Sequence, residues 1–204
     1  MLDPRKVSFD PNKVNFDKDG LVPAILQDYL SGQVLMLGYM NREALEKTLE
    51  NGDVWFYSRK RKQLWYKGET SGNYQEVVDM CLDCDNDAIL IQVNPLGNTC
   101  HLDRPSCFGE KSETVLEKLK NILLERFEER PEHSYTTYLY GKGIDKILKK
   151  VGEESAEVMI AAKNGERTPL AEEVADLTYH IMVMMISLGY DYKDAVKVLK
   201  ERMK

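Results

Sequence analysis

At 204 residues the chain is long enough for one large domain or two small ones with real cores, and 43% apolar and 30% charged residues are ordinary for a globular protein. A net charge of −6 gives no general pull towards nucleic acid or an anionic membrane, so a phosphorylated ligand would need a local basic pocket. No apolar signal core opens the chain, and the longest apolar run, Ile181 to Leu188, is far too short to span a bilayer; a cytoplasmic location is expected.

Residues 1–16 read as a polar, weakly ordered arm. Leu21–Asp28 and Val34–Met40 are apolar runs around Ser31-Gly32, a hairpin signal. Asn41 is a good N-cap for a helix over Arg42–Glu50, ended at Asn51-Gly52. Val54–Ser58 and Leu64–Lys67 are β-rich, with Ser58-Arg59-Lys60-Arg61 at their connection. Gln75–Cys84 and Ala88–Asn94 read as two more strands, the second closed by the turn Pro95-Leu96-Gly97-Asn98. Beyond Phe108 the pattern changes to a 3.6-residue period. A helix is expected over Thr114–Glu128, a loop from His133 to Gly143, and a helix over Ile144–Lys163 ended at Asn164-Gly165. The next helix takes Thr168 as N-cap and Pro169 as its first residue and stops near Gly189, and Asp191 caps a last helix. The expectation is a β-rich α+β domain over residues 1–112 and an all-α bundle of four helices over 113–204.

Chemistry concentrates in two places. Asp83-Cys84-Asp85-Asn86-Asp87 interleaves three carboxylates with a thiol; in an extended chain the aspartates would share one face and Cys84 the other. Carboxylates suit magnesium-like cations and thiolates suit zinc. Cys84, Cys100 and Cys107 are separated by 16 and 7 positions, and three protein ligands would leave a zinc open for water. Cys81 makes a C-x-x-C with Cys84, so a closed four-thiol site stays as an alternative, and with it a zinc-ribbon nucleic-acid binder, which the acidic charge disfavours. An EF-hand fails, because Ala88 stands where glycine and Asn94 where glutamate are needed. Upstream, Arg59 and Arg61 alternate and could grip one phosphate. The run Trp65-Tyr66-Lys67-Gly68-Glu69-Thr70-Ser71-Gly72-Asn73 offers a cation, a hydroxyl and glycines that let backbone N–H groups approach an anion. In the second half, Glu154 and Glu157 sit three apart, as do Glu173 and Asp176. On adjoining helices those four carboxylates would converge and call for a cation. Lys142, Lys149 and Lys150 are candidate phosphate contacts, and His180, with apolar helical neighbours, reads as a satisfied core histidine.

Ser58-Arg59-Lys60-Arg61, the run Leu64 to Asn73, Asp83 to Asp87, Cys100-His101 and Ser106-Cys107-Phe108 together resemble phosphoribosyl-AMP cyclohydrolase of histidine biosynthesis, over roughly residues 15–110. The resemblance implies zinc on Cys84, Cys100 and Cys107, magnesium on Asp83, Asp85 and Asp87, and a homodimer that draws its zinc ligands from both subunits. The implied reaction hydrolyses the N1–C6 bond of the adenine ring with zinc-activated water. His101 would shuttle the proton, and Arg59, Arg61, Trp65, Lys67, Glu69 and Ser71 would bind substrate.

Glu153-Glu154-x-x-Glu157 followed by Glu173-x-x-Asp176 looks like the all-α nucleoside-triphosphate pyrophosphatase superfamily. With Lys149-Lys150-Val151-Gly152 before it and Asp176-Leu177-Thr178-Tyr179-His180 around its end, it is similar to phosphoribosyl-ATP pyrophosphohydrolase, over roughly residues 113–204. That resemblance implies cleavage of an α–β phosphoanhydride, with magnesium on Glu154, Glu157, Glu173 and Asp176, Glu153 orienting water and Lys150 on phosphate. Ser134-Tyr135-Thr136 fits the pattern without an assigned role. One half's product would be the other's nucleotide substrate.

Overall fold

The computed structural model describes residues 7, 9–165 and 167–203. The chain forms two compact units, divided between Thr114 and Val115. The first is a mixed β/α domain and the second an all-helical bundle.

In the first unit, β1 (Val22–Asp28), β2 (Val34–Met40), β5 (Gln75–Leu82) and β6 (Ile89–Pro95) form one sheet in the order β2-β1-β6-β5. The pairs β1–β2 and β5–β6 are antiparallel, and β1 lies parallel to β6, with Leu26 opposite Ile91. Alternate residues of β1 are buried, so Val22, Ala24 and Leu26 join Ile89, Ile91 and Val93 on one apolar face. Asp28 closes the β1–β2 turn by accepting the Leu30 and Ser31 N–H groups at 2.8 and 2.7 Å. Helix α1 (Arg42–Asn51) begins on the Asn41 side chain, which accepts the Ala44 N–H, and ends at Gly52 in a left-handed conformation. It buries Ala44 and Leu45 in the same core. The strands β3 (Trp55–Ser58) and β4 (Gln63–Tyr66) make a separate hairpin, with Trp55 stacked on Tyr66.

The expected polar arm is a correction in its described part. Val14 is buried and Phe9 and Phe16 pack on the core, while the rest of that arm, residues 1–6 and 8, lies outside the described residues. Asp83–Asp87 is also not extended: β5 stops at Leu82, and the five residues form a turn with Asn86 at φ 63°. Arg59 and Arg61 lie in the β3–β4 turn and do not alternate along a strand.

The second unit has α2 (Val115–Glu129), α3 (Tyr135–Lys142), α4 (Ile144–Asn164), α5 (Arg167–Ser187) and α6 (Tyr192–Arg202). Among the described residues it therefore holds five helices, where four were expected. The extra one is α3, in the segment His133–Gly143 where a loop is expected. Ser134 starts it by accepting the Thr137 N–H, and Gly143 ends it. Helix α5 begins at Arg167, ahead of the expected Thr168 cap; Pro169 sits in its first turn, where a missing N–H breaks no intrahelical bond. Leu123, Leu139, Ile147, Met182, Val183 and Ile186 fill the core between these helices. Asp191 and Asp194 form a reciprocal capping box at α6. No described helix is long and apolar enough to cross a membrane.

Candidate active sites

A cavity of about 540 Å³ in the first unit brings together Arg61, Trp65, Lys67, Ser71, Cys100, His101 and Cys107. The β3–β4 hairpin supplies Arg61 and Trp65, and two further segments supply the rest. The first, residues 67–73, leaves β4 in a tight loop closed by Gly72 N–H on the Gly68 carbonyl at 2.8 Å. Gly68 has φ +100°, and a Cβ there would lie 2.8 Å from the Asn73 carbonyl and the Tyr74 Cα. Its glycine is therefore required by the loop's own closure.

The second segment, residues 98–108, is stitched to β2. Cys107 N–H donates to the Leu35 carbonyl at 2.8 Å. Buried Ser106 lies 2.8 Å from the Val34 carbonyl, to which its Oγ–H donates, and accepts Phe108 N–H at 3.0 Å. Cys100 sits in a turn closed by its N–H on the Arg104 carbonyl at 3.0 Å.

The Cys100 and Cys107 thiols lie within hydrogen-bonding reach of each other, beside Lys67. Burial raises the Cys107 thiol and the neighbouring Cys100 adds to it, against the pull of the Lys67 ammonium. Lys67 is only 5% exposed. Burial lowers its ammonium, while Cys107 and Cys100 pull it back up. The sequence marks Lys67 as a substrate-binding cation at the end of a β-rich run, but its depth depends on partners distant in the chain.

The other expected ligands of this half stand elsewhere in the chain. Arg59 lies over the Tyr39 ring at 3.7 Å, and Glu69 is exposed; neither lines the cavity. Exposed Cys84 has Asp85 Oδ1 as its neighbour at 3.9 Å. Asp83, Asp85 and Asp87 converge so that one ligand oxygen from each lies within 4.8 Å of the others. A turn produces that convergence: Asp83 Oδ1 accepts the Asp87 and Ala88 N–H groups at 3.0 and 3.1 Å. Burial opposes ionisation of Asp83, but those two N–H groups hold its carboxyl below the ordinary range. The charges of Asp85 and then Asp83, with some burial, push Asp87 up. Asp85 and Asp87 open on a different cavity, of about 480 Å³, with Asn15, Phe16 and Asp17.

In the second unit, ligand oxygens of Glu154 and Glu157 from α4 and Glu173 from α5 lie within 4.8 Å of one another. Helices α4 and α5 run antiparallel, since Glu154 faces His180 while Glu157 meets Glu173. Glu154 is buried and pairs with Lys150 at 2.8 Å; that bond, above all, holds its carboxyl below the ordinary value. Glu153 pairs with Lys150 at 3.0 Å and Lys149 at 3.4 Å. The charge of Glu154, then contact with Glu173, raises Glu157. Asp176 stands outside the close group but lines a cavity of about 370 Å³ with Tyr135, Lys150, Glu154, Tyr179 and His180. His180 is buried and satisfied: its Nδ1 donates to the Asp176 carbonyl at 2.8 Å, which leaves Nε2 to accept from the Tyr135 hydroxyl at 3.2 Å. Tyr135 thus joins the site through the helix that was read as a loop. Thr136 links Arg126 to the Tyr179 hydroxyl at 3.0 and 2.8 Å. Lys142 lies over the Tyr138 ring. Both carboxylate groups are suited to a divalent cation.

Comparison with known proteins agrees with this division. Residues 36–109 match the family model for phosphoribosyl-AMP cyclohydrolase, and residues 116–203 match that for phosphoribosyl-ATP pyrophosphohydrolase. A histidine biosynthesis bifunctional protein HisIE from Bacillus subtilis is 50% identical over 195 residues, covering 92% of this chain and 93% of the relative. The chain belongs to the bifunctional phosphoribosyl-AMP cyclohydrolase and phosphoribosyl-ATP pyrophosphohydrolase family. Similar proteins of the same description occur in Vibrio vulnificus, 50% identical with 93% of each chain covered, and in Caldanaerobacter subterraneus, 49% identical with 96% of this chain and 98% of the relative covered. As a member of this cyclohydrolase–pyrophosphohydrolase family, the protein is a bifunctional hydrolase of histidine biosynthesis acting on nucleotide substrates.

Proposed function

We propose that residues 113–204 hydrolyse the α–β phosphoanhydride of phosphoribosyl-ATP at the α4–α5 carboxylates. Residues 1–112 then open the adenine ring of the resulting phosphoribosyl-AMP in the thiol cavity. The observation that carries this reading is the separation of donor types: two neighbouring thiols, that of Cys100 buried and that of Cys107 exposed, beside a buried lysine in one unit, and converging carboxylates between helices in the other.

The donor chemistry fits the cations this family implies. Two adjacent thiols, Cys100 and Cys107, make half of a tetrahedral zinc site. Cys84 is exposed beside Asp85 and does not line the cavity that holds Cys100 and Cys107; in a homodimer it would serve the site of the second copy. Cys84, Cys100 and Cys107 would hold the zinc, which would supply water with its pKa lowered from about 15.7 towards about 7. Arg61, Lys67 and Ser71 reach the substrate's phosphates from the cavity wall, whereas Arg59 is engaged on Tyr39. Trp65 packs against Phe56 and presents its ring to the cavity. His101, which lines the cavity, takes a proton from the attacking water and returns it to N1. The water oxygen becomes the carboxamide oxygen as the N1–C6 bond breaks. Asp83, Asp85 and Asp87, whose carboxylate oxygens converge, would hold magnesium in this half.

Glu154, Glu157, Glu173 and Asp176 would hold magnesium in the other half, where it balances phosphate charge and activates water. Glu153 orients that water, and Lys150, which already bridges Glu153 and Glu154, neutralises the leaving pyrophosphate. Four free thiols suit a reducing compartment, which favours a cytoplasmic enzyme.

The test follows phosphoribosyl-ATP consumption and ring opening separately in Cys107→Ala and Glu157→Ala. The first variant loses ring opening alone and the second loses pyrophosphate release alone. A folded single variant lacking both activities would refute independent sites.

A further inference from the structure

Asn73 ends the loop that begins at Lys67, and the resemblance to the cyclohydrolases gives it no role. In the structure it lies between two glycines that leave no room for a side chain. A Cβ on Gly68 would lie 2.8 Å from the Asn73 backbone, and a Cβ on Gly97 would overlap the Asn73 side chain, at 2.8 Å from its Cγ. Gly97 does not adopt a left-handed conformation, so closeness to Asn73, and not backbone freedom, explains its lack of a side chain.

Hydrogen bonds run outwards from Asn73 to both halves of the thiol cavity. Its N–H donates to Ser71 Oγ at 3.2 Å, within the loop that carries Lys67. Its Nδ2 donates to the Asn98 carbonyl at 3.0 Å, and Asn98 Nδ2 donates in turn to Asp103 Oδ1 at 2.9 Å. Its carbonyl accepts from Gln75 Nε2 at 3.3 Å. Gln75 is fully buried, and its Oε1 accepts from Thr99 Oγ1 at 3.2 Å, one residue before Cys100. A fully buried amide held on both ends is a rigid spacer, because leaving either end unpaired costs the desolvation of that group.

We infer that Asn73 is a positioning residue. It clamps the loop carrying Lys67 and Ser71 to the turn carrying Cys100 and His101, and so fixes the gap that the substrate must fit. The inference rests on the reading of this cavity as the ring-opening site. A misplacement of about 1 Å between reacting groups lowers rates by about 100-fold, so the clamp acts on turnover more than on binding.

The experiment is a double-mutant cycle on the zinc-loaded, full-length enzyme, with pyrophosphate release from phosphoribosyl-ATP as an internal control. Gly97→Ala displaces the Asn73 side chain and lowers kcat for ring opening by about 10-fold or more. Asn73→Ala does the same, with KM and zinc content held near those of the parent. In the Asn73→Ala background Gly97→Ala has nothing to collide with and adds less than about a 2-fold loss. Should Asn73→Ala prove too unstable to assay, Asn73→Asp fills the same space and lacks the donor to the Asn98 carbonyl. It too loses kcat, and Gly97→Ala still lowers kcat in the parent background. Additive losses around the cycle, a Gly97→Ala enzyme with parental turnover, or a rise in KM with kcat untouched would each overturn the clamp. If Cys107→Ala also retained ring opening, the reading of the cavity itself would fall. If Cys107→Ala abolished it while the cycle was additive, only the clamp would.

Discussion

Lys150→Ala removes the ammonium that pairs with the buried Glu154 carboxylate at 2.8 Å. The Glu154 side chain is 6% exposed and that of Lys150 is 23% exposed. The pair therefore lies between a surface ion pair, worth about 0–1 kcal/mol, and a buried one whose disruption costs about 3–5 kcal/mol. We take about 2 kcal/mol for the metal-free protein. For a unit the size of Val115–Lys204, each kcal/mol moves Tm by about 4–8 °C, which gives a fall of about 8–16 °C. Saturating magnesium supplies the lost positive charge, so the difference between variant and parent shrinks by more than half. The pH dependence has a defined sign. Lys150 holds the Glu154 carboxyl below its ordinary 4.5, so this stabilisation is complete above 4.5 and is lost as pH falls through the depressed value. The Tm gap between variant and parent is thus widest near neutrality and closes in acid. Scanning calorimetry in EDTA and in magnesium, at pH 7 and in acid, reads all three effects. A Tm fall of equal size with and without magnesium, or no fall in EDTA, would refute the claim that Glu154 depends on a neighbouring cation.

Ser106→Ala leaves the Phe108 N–H without its acceptor and the Val34 carbonyl without its donor; a loss of about 1–3 kcal/mol in the first unit appears in urea denaturation, with ring opening reduced and pyrophosphate release intact. Gly68→Ala, at φ +100° and against the backbone of Asn73 and Tyr74, cannot keep the 67–73 loop; ring opening falls by at least about 10-fold in a direct assay of the opened product. The raised Glu157 carboxyl binds protons more readily in the folded state than when unfolded, so acid relieves repulsion that magnesium would otherwise relieve. The rise in Tm that magnesium gives is therefore larger at pH 7 than near pH 4.5, the ordinary value for this group. Mixing Cys84→Ala with Cys107→Ala enzyme and allowing subunits to exchange restores a measurable fraction of ring opening, because a mixed dimer carries one complete set of thiols; no recovery would place all three ligands in one chain.

Much of this architecture is written in local signals. Asn41 and Gly52 bracket α1, Gly165 ends α4 and Asp191 caps α6, because caps act through backbone groups of the same few residues. The same locality exposed the paired glutamates, since a spacing of three already sets a shared helix face. Helix α3 escaped for the opposite reason. Its eight residues Tyr135–Lys142 are rich in tyrosine and threonine and lack a strong amphipathic period. The carboxylates at Asp83–Asp87 were expected to converge by strand alternation. They converge through a turn whose cause, the Ala88 and Asp87 amides on Asp83, depends on where β5 stops. Lys67 and Arg59 show the remaining limit. One is buried beside two thiols and the other is drawn to Tyr39, and both outcomes depend on partners distant in sequence.

Ring opening at a zinc held by three thiolates, with its fourth position open, in a unit separate from the carboxylates, is decided by X-ray absorption at the zinc edge of the zinc-loaded enzyme. Three sulfur ligands at about 2.3 Å and one lighter atom at about 2.0–2.2 Å are expected. Four sulfurs, with Cys81 recruited to close the shell, or a shell of oxygen and nitrogen alone, would contradict it.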